Sequence, residues 1–355
     1  MQRFTSNQNY SRKIYFNVSK EKRKLVSIKD IAQKAGVSPS TVSRALHNHP
    51  HISTETGERV QRLAHEMGYT PSLVARSLVT QDTATIGLVI TYTSDPFLSR
   101  MVQGVEETSR SNGYSVFLSS SYRDYERELE VVRSFHERRT SGIIVTGSRI
   151  DMDYLDLENH YPLPIVLINC RRYPYSVSAD KISGAKQAVE HLVQLGHRRI
   201  AFVSNTKFST DLDRQTGYQH VLSKHDIPID GTLIVEGDGK LESGIRAGKK
   251  LLNLPQPPTA IFCFNDMTAL GVLTALREEG LQVPRDCSVV GFDDLEMSAY
   301  LNPPLTTVRQ PCYRMGQAAI RMLLQLIRGE SDVQAEVLPT ELIVRQTTGL
   351  APEPS

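Results

Sequence analysis

The chain has 355 residues, 39% hydrophobic and 23% charged, with 41 Lys and Arg against 39 Asp and Glu and a net charge of +2. That is room for two domains or more, with no apolar run near the roughly 18 to 20 residues of a membrane span and no charged-then-apolar leader. A cytoplasmic protein is expected, and four well-separated cysteines, Cys170, Cys263, Cys287 and Cys312, suggest buried thiols rather than a zinc site or disulfide framework.

The charge is unevenly spread. Residues 1 to 80 hold 13 Lys and Arg against 5 Asp and Glu, leaving 28 against 34 for the rest, so only the first part is suited to a polyanion. Residues 1–26 are polar, lack any helical or strand period and end in Lys20-Glu-Lys-Arg-Lys24, which reads as a disordered basic arm adding salt-sensitive phosphate attraction. A plain solvated tail, or a start site set too far upstream, fits that stretch equally well.

Next come two short helices. Ile28, Ile31, Ala32 and Ala35 recur at helical spacing behind Ser27 as N-cap, with Asp30 in the first turn. Gly36 ends that helix, and Ser38 followed by Pro39 starts the next. The second helix turns Val42, Ala45 and Leu46 inward and Ser40, Thr41, Ser43 and Arg44 outward, with no acidic residue between Ser38 and His51. Short hydroxyls and one planar cation suit phosphate oxygens and base edges. Two helices alone could equally be a corner of any helical domain.

His47, His49 and His51 lie in a turn-rich segment without further ligands at metal spacing, so no metal is expected. Ser53 caps a third helix with Val60, Leu63, Ala64 and Met67 as one apolar stripe, closing a small three-helix core. Thr70-Pro71 opens a further segment too short to be stable alone, so it forms only when packed or bound.

From Thr85 the pattern changes to short apolar runs separated by helix-sized segments. Ile86–Ile90, Ser115–Leu118, Gly142–Val145, Ile165–Ile168, Arg199–Val203, Leu233–Val235, Thr259–Phe262 and Ser288–Gly291 make eight strands in two groups of four. Such alternation means parallel sheets covered by helices, hence an α/β core of two lobes. Gly113, Gly196, Gly280 and Gly329 follow the intervening helices as left-handed caps. Ligands of open α/β sheets bind beyond the carboxyl ends of strands, here Thr91–Phe97, Asn265-Asp266 and Phe292-Asp293-Asp294. Acid/base or metal chemistry at Asp293 and Asp294 lacks a nucleophile or metal cluster, so the favoured reading is one ligand-binding carboxylate beside a structural neighbour.

From about Val26 to Gly349 the chain closely resembles the LacI/GalR family of bacterial transcription regulators. The resemblance rests on Ile-x-Asp-Ile-Ala-x-x-Ala-Gly-Val-Ser-x-x-Thr-Val-Ser-Arg (Ile28 to Arg44), Gly-Tyr-x-Pro-(x)3-Ala-Arg-x-Leu (Gly68 to Leu78) and Asp95-Pro-Phe97. It continues through Asp180-(x)3-Gly184, Leu195-Gly-His-Arg-Arg-Ile200, Phe264-Asn-Asp266, Val289-Val-Gly-Phe-Asp-Asp294 and Pro304-Leu-Thr-Thr-Val-Arg-Gln310. It implies a helix-turn-helix head at 27–69, a hinge helix and linker at 70–83, and a periplasmic-binding-protein-like core at 84–349 before a tail at 350–355. Within the core, lobe one is expected at about 84–178 plus 309–340 and lobe two at about 179–308.

By that resemblance Pro39, Ser40 and Arg44 face base edges, Ser38, Thr41 and Ser43 face phosphates, and the hinge residues Ala75 and Leu78 enter the minor groove. Phe97, Arg214, Asn265, Asp293 and Gln310 are the implied effector residues, and no catalytic residue, cofactor or metal is expected. The implied partners are palindromic operator DNA, a second copy of the chain and a small ligand, a sugar or sugar derivative. Two positions depart from the pattern of sugar-responsive relatives: Gly239 stands where many place a stacking aromatic, and Ser183 where one has an acidic contact. The rivals are a solute-binding protein, which requires export, and a sugar-processing enzyme, which requires a nucleophile and base. No heptad-like extension follows Gly349, so a dimer is expected rather than a tetramer.

Overall fold

The computed structural model describes residues 26–46, 49–69, 83–147, 163–170, 173–205 and 212–353, which fall into two compact units. The expected basic arm, up to residue 25, and the expected hinge, from 70 to 82 with Ala75 and Leu78, lie outside the described residues. None of the described helices is long and apolar enough to cross a membrane.

The described residues of the first unit form three helices, α1 (Ile28–Ala35), α2 (Pro39–Leu46) and α3 (Thr54–Glu66). Ser27 and Asp30 form a reciprocal capping box, the Ser27 side chain accepting from the Asp30 N–H while the Asp30 carboxylate accepts from the Ser27 N–H at 2.8 Å. Gly36, at φ 66°, ends α1 in the left-handed conformation that a side chain would strain. Ile31, Ala32, Ala35, Val42, Ala45, Val60 and Ala64 make one buried cluster, so the apolar positions of all three helices converge.

The described residues of the second unit form two six-stranded sheets. The first contains β1 (Thr85–Ile90), β2 (Ser115–Ser120), β3 (Gly142–Thr146), β4 (Ile165–Ile168), β5 (Ser176–Ala179) and β11 (Glu336–Leu338), in the order β11-β5-β4-β3-β1-β2. The second contains β6 (Ile200–Ser204), β7 (Ile234–Glu236), β8 (Ala260–Cys263), β9 (Ser288–Asp293), β10 (Thr306–Arg309) and β12 (Glu341–Ile343), in the order β12-β10-β9-β8-β6-β7. Among the described residues all pairings are parallel except β10 with β12, which is antiparallel. Eight strands were expected; β5, β10, β11 and β12 add four, and the second sheet is thus not purely parallel.

Seven core helices are described: α4 (Pro96–Ser111), α5 (Tyr125–Glu137), α6 (Lys181–Gln194), α7 (Leu212–Lys224), α8 (Leu241–Leu252), α9 (Asp266–Glu278) and α10 (Cys312–Ile327). Helices α4 and α10 cover one face of the first sheet through Met101, Val105, Met315 and Ile320, while α5 covers the other through Val131, Val132 and Phe135. Helices α4 and α10 approach so closely that a Cβ on Gly104 would overlap the Tyr313 carbonyl, and one on Gly316 the Met101 carbonyl. Helices α6 and α7 cover one face of the second sheet, α8 and α9 the other.

The chain crosses between lobes after β5, after β10 and after β11, so α10 and β11 return to the first lobe and β12 to the second. Residues beyond 340, which the sequence leaves without a lobe, stay on the second: the Val289 N–H donates to the Thr347 carbonyl at 2.8 Å. His197 lies fully buried beneath this last segment, its Nδ1 paired with Thr259 Oγ1 at 2.9 Å and its Nε2 with Ser288 Oγ at 3.0 Å. His191 pairs with Thr348 Oγ1 at 2.9 Å.

Burial holds both imidazoles below their ordinary titration range, because a charged ring would lose its water. A depressed histidine stabilises the fold above its unfolded value, near 6.5, and that stability is lost as pH falls through the lower folded value. The histidines' contribution to the melting temperature should therefore shrink between about pH 7 and pH 5. A His197→Gln variant should melt lower at pH 7 but with a shallower acid slope; a slope equal to that of the parent chain would remove His197 as the cause.

Candidate functional site

Two places carry chemistry, one in each unit. In the first unit, Ser38, Pro39, Ser40 and Arg44 are exposed, while Thr41 and Ser43 are half-buried. The Ser38 hydroxyl accepts from the Thr41 N–H at 3.2 Å and is also paired with Ser40 Oγ at 2.7 Å and Thr41 Oγ1 at 2.9 Å. It thus caps α2 and gathers three hydroxyls at that helix's N-terminus, where the backbone N–H groups favour an anion. Arg44 stands in the last turn of α2 on the outer face, opposite buried Val42 and Ala45, and α2 has no acidic residue in its first turn.

The second place lies between the lobes. A cleft of about 590 Å³ is lined by Phe97 and Arg100 of α4, by Asp293 and Tyr300, and by Gln310 and Arg314 at the crossing into α10. Of the five expected effector residues, Phe97, Asp293 and Gln310 meet here; Arg214 and Asn265 do not line this cleft. Asp95 caps α4 by accepting from the Phe97 N–H at 3.1 Å, and that fixes where the Phe97 ring enters.

Asp293 and Asp294 diverge, although they are adjacent. Both have positive φ, 134° and 56°, a conformation uncommon outside glycine and costly enough to be associated with functional sites. Asp293 is buried, accepts from Gln310 Nε2 at 2.7 Å and has its Oδ1 4.0 Å from the Arg214 guanidinium. Asp294 turns instead to Arg309 at 2.7 Å and Arg345 at 2.6 Å, a clamp that ties β10 to the final segment.

Burial pushes the Asp293 carboxyl well above the usual carboxylate range, and nearby Asp266 and Asp95 reinforce the shift against the opposing charge of Arg214. Asp95 is also raised by burial, less so because the Phe97 N–H and Arg123 favour its charge. Arg214 is buried between two aromatic rings, its guanidinium carbon 4.3 Å from the Phe264 centroid and 4.1 Å from that of Phe292.

Asn265 serves the scaffold. Its Oδ1 accepts from the Thr268 N–H at 2.8 Å, capping α9, and its Nδ2 donates to the Gly239 carbonyl at 2.9 Å. A Cβ at Gly239, which has φ 79°, would come within 3.1 Å of Asn205 Nδ2, so this loop sits tightly against the strand ends. Two polar atoms went unremarked in the sequence: Thr146 Oγ1 and Asn169 Oδ1, buried and without hydrogen-bond partners, at the carboxyl ends of neighbouring strands β3 and β4. The rule that singled out Asn265, a polar residue directly after a buried strand, applies equally to Asn169.

Residues 27–72 match the bacterial regulatory proteins of the lacI family, and residues 189–348 match the periplasmic binding protein-like domain. The HTH-type transcriptional repressor PurR of Vibrio atlanticus is 34% identical over 332 residues, covering 91% of this chain and 98% of that protein. The HTH-type transcriptional repressor CytR of Escherichia coli K12 is 33% identical over 340 residues, covering 94% and 99%. The chain belongs to the LacI family of bacterial regulatory proteins. The lac repressor dimer bound to operator and the anti-inducer ONPF matches with a TM-score of 0.86 at 32% identity, over 92% of this chain and all of that one. This LacI-family chain is thus a DNA-binding transcription regulator, and these relatives are repressors rather than enzymes. An exported solute-binding protein would share the second match and leave the first, in the head, unexplained.

Proposed function

We propose that the chain is a cytoplasmic repressor that binds a palindromic operator as a homodimer and whose affinity is set by a small ligand held between the lobes of its core. The observation that carries this reading is α2: an exposed face of hydroxyls and one arginine, free of acid, on a closed three-helix core. Pro39, Ser40 and Arg44 are assigned to base edges and Ser38, Thr41 and Ser43 to phosphates. Arg44 carries most direct readout, because a guanidinium pairs bidentately with guanine and discriminates by about 1–3 kcal/mol, whereas proline and serine read poorly. Ala75 and Leu78 are assigned to the minor groove, where an apolar wedge opens a base step in return for the contacts of a bent site.

In the core, Phe97, Asp293 and Gln310 are assigned to the ligand directly. Arg214 is assigned to orienting Asp293, and Asn265 to holding the loop that ends at Gly239. Ligand control requires different affinity in the DNA-competent and DNA-incompetent states, and a hundredfold ratio corresponds to about 2.7 kcal/mol of coupling.

The test is selection of DNA fragments by the purified protein at about 150 mM salt, where non-specific phosphate binding is suppressed. An enriched palindrome is the expected result, and absence of any enriched site under all conditions removes the operator reading. Arg44→Ala should relax preference at one base pair of each half-site by about 1–3 kcal/mol while leaving binding to random DNA nearly unchanged. Equal loss on both kinds of DNA would contradict its assignment to base readout.

A further inference from the structure

The basic charge of this DNA-binding chain is not where its DNA-binding helices are. The head, residues 27–69, holds five Lys and Arg against four Asp and Glu, so it is almost neutral. Residues 1–26 hold seven Lys and Arg against one Glu. Without them the chain would carry 34 Lys and Arg against 38 Asp and Glu, a net charge of −4. A duplex bears one negative charge per about 1.7 Å of its axis, and protein cations that release its counterions supply nearly all binding that ignores sequence. Residues 27–355 by themselves would thus be repelled by DNA at long range, and the basic excess is confined to the stretch before the first helix.

Four of those cations, Lys20, Lys22, Arg23 and Lys24, form one run that stops just short of Val26. The run lies outside the described residues, yet the fold bounds where it can be. Val26 is half-buried and packs on the cluster made by Ile31, Val42 and Val60, the same core that carries α2. Ser27 is fixed beside it by the reciprocal capping box with Asp30. A chain covers at most about 3.6 Å per residue, so Lys24 stays within about 7 Å of Val26 and Lys20 within about 22 Å. A unit the size of residues 27–69 has a radius of gyration of only about 9 Å. Duplex held against α2 is therefore within reach of all four cations.

We propose that the Lys20–Lys24 run is a second DNA contact, made to duplex phosphates beside the half-site that α2 reads, and that it supplies most of the chain's sequence-independent affinity. This rests on the reading of the chain as an operator-binding repressor and adds a contact that the nearly neutral head does not make. Lysine is a compact charge on a flexible stem, suited to phosphates and poor at telling one base edge from another. Helix α2 then carries preference for the operator, and the run carries attraction to any duplex. Each phosphate neutralised steepens the fall of log K with log salt by about 0.9, so four cations on each of two heads are worth up to about 7 in slope.

The experiment compares the full chain with a variant carrying Lys20→Gln, Lys22→Gln, Arg23→Gln and Lys24→Gln. Affinity is titrated on the selected operator and on a random duplex of the same length, from about 50 to 200 mM salt. A second variant removes the same charge from the core through Arg133→Gln, Lys250→Gln, Arg277→Gln and Arg321→Gln, four exposed positions. The expected result is that the run variant binds both duplexes at least about tenfold more weakly at the low-salt end, by the same factor on each, with a salt slope shallower by about 3 or more and an unchanged melting temperature. The core variant should keep the parent slope. Equal slopes for the run variant and the parent overturn the proposal, and so does an equal loss from the core variant, which would make net charge rather than place the cause. A loss confined to the operator overturns it too, since the run would then read sequence. The operator reading is tested separately, because a run variant that still enriches the parent's palindrome leaves that reading standing whichever way the slopes fall.

Discussion

Replacing Asp266 with alanine should destabilise the core by about 3–5 kcal/mol, because it leaves three buried donors without their acceptor at about 1–3 kcal/mol each before relaxation. Asp266 is 2% exposed at the first position of α9. One carboxylate oxygen accepts from the Leu295 N–H at 2.8 Å and from Ser298 Oγ at 2.6 Å, and the other accepts from the Thr307 hydroxyl. A single side chain thus ties α9 to the loop after β9 and to β10, and it fits because Gly291 beside it has no Cβ to strike Oδ1. Alanine leaves one buried N–H and two hydroxyls to find other partners, while Asp266→Asn keeps the shape and should lose less.

The pH dependence distinguishes this account from a simple cavity. Burial raises the Asp266 carboxyl above its ordinary range despite three donors. A raised folded value means that the stabilisation is fully present below the unfolded value, near 3.9, and declines as pH rises through the folded value. In urea titrations the gap between the parent chain and Asp266→Ala should therefore narrow from about pH 4 to pH 7. A gap that widens over that interval would show that the charged form is the better bound one, and the assigned cause of the shift would be wrong. Leu295 also lines the cleft, so the same network sets the wall against which a ligand closes.

How far each part could be read in advance follows from how local its determinants are. The head was legible because every determinant is local: Ser27 and Asp30 for the first cap, Gly36 for its end, and an apolar residue every third or fourth position. Strands made of continuous apolar residues were also legible, and Ile165–Ile168 is β4. Strands β5 and β10 escaped because they bury hydroxyls. Thr306 and Thr307 are fully buried and take partners from Thr347, Thr348 and Asp266, about 40 positions away. A reading based on hydrophobic runs takes such residues for loop, because what makes their burial tolerable is supplied by distant chain.

The same reasoning divides the cleft. Phe97, Asp293 and Gln310 follow strands or crossings, so their position could be placed from the rule for strand ends. The two rings that enclose Arg214 come from the end of β8 and from β9, and nothing near Arg214 in the sequence announces them. Conversely, Asn265 capping α9 is a local pattern, three positions before Thr268, so its structural role was available from the sequence beside the ligand role implied by resemblance.

Phe117→Asp should convert the proposed dimer to monomer and weaken operator binding by two orders of magnitude or more, because two linked heads profit from an effective concentration in the millimolar range that a lone head lacks. Strand β2 is at the edge of the first sheet, and Phe117 and Leu118 on it are 47% and 43% exposed. Tyr122 and Tyr125, just beyond, are 58% and 42% exposed. Four large apolar or aromatic side chains within nine positions on and after an edge strand form the kind of patch that a monomer rarely leaves in water, and a second copy would cover it. A two-fold axis repeats any substitution on both copies, so an aspartate at 117 introduces two desolvated charges in one interface. Sedimentation and operator titration provide the measurement, with Ile229→Asp as the comparison, since Ile229 is an exposed apolar residue outside this stretch and should change neither quantity. A Phe117→Asp chain that remains dimeric and holds its operator as tightly as the parent would place the dimer contact elsewhere. Loss of the dimer with unchanged operator affinity would mean that one head suffices, and the two-fold reading of the DNA would fall.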